Sequence, residues 1–183
     1  MKRTGCTLSL GCLLLLLPLL ACAGSNSLLI PAPGVCTLNT EPDELSAALE
    51  ACQQAANSGD VQAKYELGEF YYNSKHAERD LNQALQWFEK ASLQGHAQAQ
   101  YRLGMMFFHG EGVPANAMQA YIVLKMAAVN GSDEAMDEAD VIAGQMSSSD
   151  LVIATQVLGQ IFRSYLLELQ NTDLLRSPFS PLP

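Results

Sequence analysis

A self-similarity at a fixed offset of 36 residues limits this chain more than any other feature of it. The segment AKYELGEFYYNSKHAERDLNQALQWFEKASLQG, residues 63–95, lies over AQYRLGMMFFHGEGVPANAMQAYIVLKMAAVNG, residues 99–131. The offset pairs Ala63 with Ala99, Leu67-Gly68 with Leu103-Gly104, Ala84 with Ala120, Ala91 with Ala127 and Gly95 with Gly131. Extended backwards it pairs Ala48 with Ala84, Ala55 with Ala91 and Gly59 with Gly95; extended forwards it pairs Ala99 with Ala135. One such unit is too small to bury its own apolar face. Neighbouring units must therefore stack and share a core.

The repeated positions make sense as an antiparallel helix pair. Ala63, Leu67 and Tyr71, like Ala99, Leu103 and Phe107, stand four apart and share one helix face. Gly68 and Gly104 sit where a neighbouring helix approaches closely, which offsets a helix-propensity cost of about 1 kcal/mol. Asp80 with Gln83, and Asn116 with Gln119, have N-cap and third-position spacing at the start of each second helix. Gly59, Gly95 and Gly131 fall where each second helix must end in a left-handed residue. Across residues 43–170 prolines nearly vanish and β-branched runs are absent, so the expectation is an all-α domain.

The second unit resembles the Sel1-like repeat, a relative of the tetratricopeptide repeat, with its A-x-x-x-L-G opening, G-x-G-V turn and A-A-x-x-G close; the resemblance covers about residues 44–143. It implies a short α/α superhelical solenoid of two full repeats, flanking half-repeats and a capping C-terminal helix, used for protein interaction. The first unit departs from the pattern at Ser74 and His76, where the second has Gly110 and Gly112, and Val123 replaces Trp87 in the second. In the third, Ala139-Asp140 replaces the Leu-Gly pair.

In such arrays the first helices line the concave side. Outside their packing positions these helices carry Tyr65, Glu69 and Tyr72 in one unit and Tyr101, Met105 and Phe108 in the next. Aromatic side chains are favoured at interfaces because they offer large area with few rotatable bonds. The same stripe also suits core between stacked repeats, and both assignments stand at this stage.

The N-terminus speaks to location. Lys2 and Arg3 precede an apolar run over 8–20, the layout of a secretory signal, and the run is shorter than the about 20 residues a membrane span needs. Leu19-Leu20-Ala21-Cys22 resembles a bacterial lipobox, which implies that Cys22 is lipidated and becomes the mature N-terminus. Several acyl chains at about 0.8 kcal/mol per buried CH₂ anchor a protein without a transmembrane helix. By resemblance to other lipoproteins, Ala23 at the second mature position implies the outer membrane, on its periplasmic side. The chain then divides into a signal at 1–21, a tether at 22–42, the repeat domain at 43–170 and a Pro-rich tail at 171–183.

With Cys22 acylated, Cys36 and Cys52 are the remaining cysteines, an even pair in an oxidising compartment, and a disulfide between them is expected. Removal of Lys2 and Arg3 leaves eight basic against nineteen acidic residues, a net charge of −11. That balance lacks the basic stripe of a nucleic-acid binder and fits a solvated acidic surface.

The acidic run SDEAMDEAD, residues 132–140, lacks the alternating oxygen ligands and glycine of a calcium loop, so it is expected to be a solvated helix face. SSSDLVIATQVLGQIFRSYLLELQ, residues 147–170, forms a final helix with Ser149 as its N-cap; Leu151, Ala154, Val157, Leu158, Ile161, Tyr165 and Leu169 are its face toward the array. The tail SPFSPLP cannot continue a helix. No S-x-x-K, G-x-S-x-G, H-E-x-x-H, G-x-x-x-x-G-K or paired C-x-x-C occurs, and His76, His96 and His109 are not spaced as metal ligands. No cofactor, metal or catalytic residue is expected. The reading is an envelope adaptor that captures another envelope protein; its alternatives are a cell-wall or β-lactam-directed enzyme and a surface factor that binds host protein.

Overall fold

The computed structural model describes residues 36–38, 40–41, 43–73 and 78–176, with the side chains of 169 and 171–176 left aside. These residues form seven helices: α1 (Leu45–Asn57), α2 (Val61–Asn73), α3 (Leu81–Ser92), α4 (Ala97–His109), α5 (Ala117–Val129), α6 (Asp133–Gln145) and α7 (Ser148–Arg176). Among the described residues there is no strand. The α2–α3 and α4–α5 pairs are the two repeats, preceded by the half-repeat α1 and followed by the third first-helix α6. The predicted all-α repeat architecture is the one observed.

The boundaries of α2 to α5 have local causes that recur with the repeat. Asp80 accepts hydrogen bonds from the Asn82 and Gln83 amides at 3.1 and 3.0 Å, and Asn116 accepts from Gln119 N–H at 3.0 Å, so both expected N-caps are in place. The reciprocal half of a capping box is missing, because the cap residues' own amides donate elsewhere. Asp80 N–H bonds Tyr71 O and Asn116 N–H bonds Phe107 O, which ties each second helix to the end of the first. First helices are capped by Asp60, His96 and Ser132, again 36 apart, which accept from the amides of Ala63, Ala99 and Ala135. Gly59, Gly95 and Gly131 have φ of +109°, +79° and +102° and turn the chain out of α1, α3 and α5.

The core is built where the repeat pattern places small residues. A Cβ on Gly68 would lie 2.5 Å from the Phe88 ring, and one on Gly104 would lie 2.7 Å from Leu124, so α3 seats on α2 and α5 on α4 only because both positions lack a side chain. Ala63, Leu67, Ala84, Phe88 and Ala91 are fully buried on one side, and Ala120, Leu124, Ala127, Ala135, Ala139 and Ile142 on the other. A polar clasp crosses the repeats: buried Gln100 donates to Ser92 O at 3.0 Å and accepts from Asn130 at 2.8 Å.

The third unit differs for a reason visible in the same geometry. Asp140 stands where Gly68 and Gly104 stand, and its Cβ bars a helix from seating on α6 in that way. Its carboxylate instead pairs with Lys125 of α5 at 3.0 Å. α7 packs chiefly along α5, contributing buried Ala154 and half-buried Leu151 to the core shared by α5 and α6. Two expectations for α7 need correction. Its N-cap is Ser147, whose hydroxyl accepts from Asp150 N–H at 3.1 Å, not Ser149, because the chain leaves α6 directly at Met146. Tyr165 is 58% exposed and so lies off the covering face, while Val157, Leu158 and Ile161 are half-buried. The helix runs to Arg176, six residues past the boundary read from composition; the first residue unable to continue it is Pro178.

A disulfide joins Cys36 to Cys52 across 16 residues. Cys36 and Leu38 pack with Cys52, Ala56, Leu67 and Trp87, so the segment before α1 closes the N-terminal end of the core. Cys22, His76 and the tail lie outside the described residues.

Candidate protein interface

The six first-helix residues singled out by the sequence face the same way on adjacent helices, and none is wholly buried or wholly free. Tyr65 and Tyr72 rest on the core around Phe88, with ring centroids 6.0 and 6.3 Å from it. Tyr101, Met105 and Phe108 rest on the core around Tyr121 and Leu124. The packing half of the two alternatives left by the sequence is met by all five aromatic and Met side chains, which rest on the core without being enclosed by it. Each spends one side on packing and keeps the other exposed.

Polar bonds fix this row. Glu69 accepts a two-pronged hydrogen bond from Arg102, at 2.6 Å from Nε and 3.2 Å from Nη2, which links α2 to α4. Tyr72 donates to Glu111 at 2.6 Å, Arg79 donates to the other oxygen of Glu111 at 2.9 Å, and the Arg79 guanidinium lies 4.5 Å from the Tyr72 ring centre. The bond from Tyr72 holds the Glu111 carboxyl below its ordinary pKa against the opposing effect of burial, with Arg79 adding to the lowering. Tyr72 is raised, first by burial and then by that same bond. Tyr101 is raised as well, by burial and by the carboxylates of Glu138 and Glu134 on α6. Those neighbours show that the face turns acidic toward its C-terminal end, where Asp137, Val141 and Gly144 occupy the positions of Tyr101, Met105 and Phe108.

Arg79, Arg102 and Glu111 were not singled out by sequence reasoning. Their repeat counterparts are Ala115, Glu66 and Lys75, so the offset carries no signal for them. His96 has a structural role here. Its Nδ1 accepts the Ala99 amide at 3.2 Å, its Nε2 pairs with Gln62 at 3.0 Å, and its ring stacks on Tyr65 at 4.7 Å. Burial lowers its pKa, and protonation of Nδ1 would remove the cap. The unfolded chain then binds the proton more readily than the folded one. Stability is complete above the unfolded value of about 6.5 and declines as pH falls below it. We expect the melting temperature to drop between neutral pH and about pH 5.5 and the drop to shrink in His96→Asn, which keeps a cap without the titration.

Residues 61–96 and 97–132 each match the family model of the Sel1 repeat. The chain carries two Sel1 repeats. Among solved structures, it is similar to a protective antigen of uropathogenic Escherichia coli strains that displays an SLR fold, with a TM-score of 0.64 and 24% identity over 79% of this chain and 31% of that one. It is also similar to a Sel1 repeat protein from Oxalobacter formigenes, with a TM-score of 0.53 and 26% identity over 55% of this chain and 42% of that one. The chain thus spans less than half the length of either relative. None of the curated proteins matches it at a significant level. Sel1 repeats generally serve as protein-interaction scaffolds and are typically not enzymes.

Proposed function

We propose that this chain is a lipid-anchored adaptor on the periplasmic side of the outer membrane, which holds another envelope protein on the first-helix face of its Sel1 array. The supporting observation is that Tyr65, Tyr72, Tyr101, Met105 and Phe108 are braced from below by the core, and that Glu69–Arg102 and Tyr72–Glu111–Arg79 brace them laterally. Side chains already held in one arrangement lose little entropy when a partner covers them. The lipobox-like sequence at Cys22 supplies the second attachment, and acyl chains there would keep the captured protein at the membrane.

An ion-pair exchange separates surface from scaffold. Glu69→Arg places two guanidinium groups together and should cost about 1 kcal/mol. Glu69→Arg with Arg102→Glu restores the pair in reverse and should recover the wild-type melting curve. After cross-linking in living cells, the exchanged variant should fail to co-purify the envelope protein that wild type retains; retention by the exchanged variant would remove this face as the site. Cys22→Ala should abolish acylation, read as loss of labelled fatty acid from the purified protein.

A further inference from the structure

A groove of about 400 Å³ lies between the C-terminal ends of α3 and α5 and the middle of α7. Its walls are Leu93 from α3, Met126 and Val129 from α5, and Ile161, Phe162 and Tyr165 from α7, with the Gln100–Asn130 clasp between them. Leu93, Val129 and Tyr165 are 88%, 65% and 58% exposed, an uncovered apolar set gathered around one groove. No charged residue lines the groove, although the chain carries 29 of them, so an uncharged occupant is favoured.

We propose that residues 177–183 of the same chain, SPFSPLP, return along α7 and dock in this groove through Leu182. Three observations support the assignment. The segment has no charged side chain, like the groove, and carries Phe179 and Leu182 as its large apolar side chains, with any terminal carboxylate at 183 left at the open, solvent side. Pro178 cannot extend α7 and biases Ser177 toward an extended conformation, which lets the chain leave the helix there. The reach also fits. Tyr165 lies about 16 Å back along α7 from Arg176 at the helical rise, and the six residues to Leu182 span about 20 Å when extended. Leu182 then lies among Val129, Phe162 and Tyr165. Prolines forgo backbone donors, so such a segment loses few hydrogen bonds on docking against an aromatic wall.

Hydrogen exchange on the mature chain tests this. Ending the protein after Arg176 should speed exchange at the amides of 92–95 and 126–130 by about fivefold or more, because the groove walls lose their cover. The peptide SPFSPLP added at millimolar concentration should slow it again, and Val129→Asp in the full chain should reproduce the truncated pattern. A photo-reactive residue at 182 should cross-link to Val129 or Leu93 at the mass of one chain. Exchange unaltered by truncation would overturn the proposal. So would cross-links confined to another surface, and cross-links found only at the mass of two chains would assign the groove to a second copy.

Discussion

Gly104→Asp should leave the domain without a cooperative melting transition. The site is closed by Leu124, which a Cβ would approach to 2.7 Å, and the added carboxylate would be buried without a partner. Overpacking and an uncompensated charge together cost about 4 kcal/mol or more, a large share of what a domain of this size possesses. The chain contains its own control. At Asp140, the equivalent position of the third unit, the side chain is 68% exposed and paired only with Lys125. Asp140→Gly should therefore cost less than about 1.5 kcal/mol, the sum of a surface ion pair and a helix-propensity loss. Chemical denaturation of the two variants measures the contrast, and equal destabilisation would contradict the account of why α7 does not seat on α6 as α5 seats on α4.

The second large effect concerns the other end of the array. Cys36→Ala should lower stability by about 3 kcal/mol, the chain-entropy value for a loop of this length. The variant leaves Cys52 as a buried thiol, which packs like a small apolar side chain, so the change reports the cross-link and not a cavity in α1. Loss should concentrate at the N-terminal end of the core, where Cys36 and Leu38 no longer pack with Cys52 and Ala56 of α1, Leu67 of α2 and Trp87 of α3. An unchanged denaturation midpoint in the variant, together with alkylation of both Cys36 and Cys52 in wild-type protein taken from cells, would contradict both the bond and the oxidising compartment.

The repeat offset made the helix pairs, the close approach at Gly68 and Gly104 and the caps Asp80 and Asn116 legible, because each is a backbone requirement that recurs in identical or similar residues. The caps Asp60, His96 and Ser132 also recur at 36, but three different residue types fill that position, and matching by identity passes over them. Arg79, Arg102 and Glu111 were invisible for a different reason. They meet across 32 to 39 residues in a network that occurs once, and periodicity carries no information about a unique contact. The course of α7 was half legible. Asp140 in place of glycine marked the end of regular stacking, but whether the next helix lies over α5 or elsewhere depends on which core edge remains open. Three consecutive serines likewise hid the N-cap, since only the exit angle from α6 selects Ser147.

On the proposed function, the first-helix face is the surface that meets another protein. A photo-cross-linking residue placed at Tyr101 in living cells tests it most directly, with the exposed Glu89 on α3 as the opposite position. One discrete adduct with an envelope protein is expected from position 101 and none from position 89. The same adducts from both positions, or an adduct from 89 alone, would contradict it.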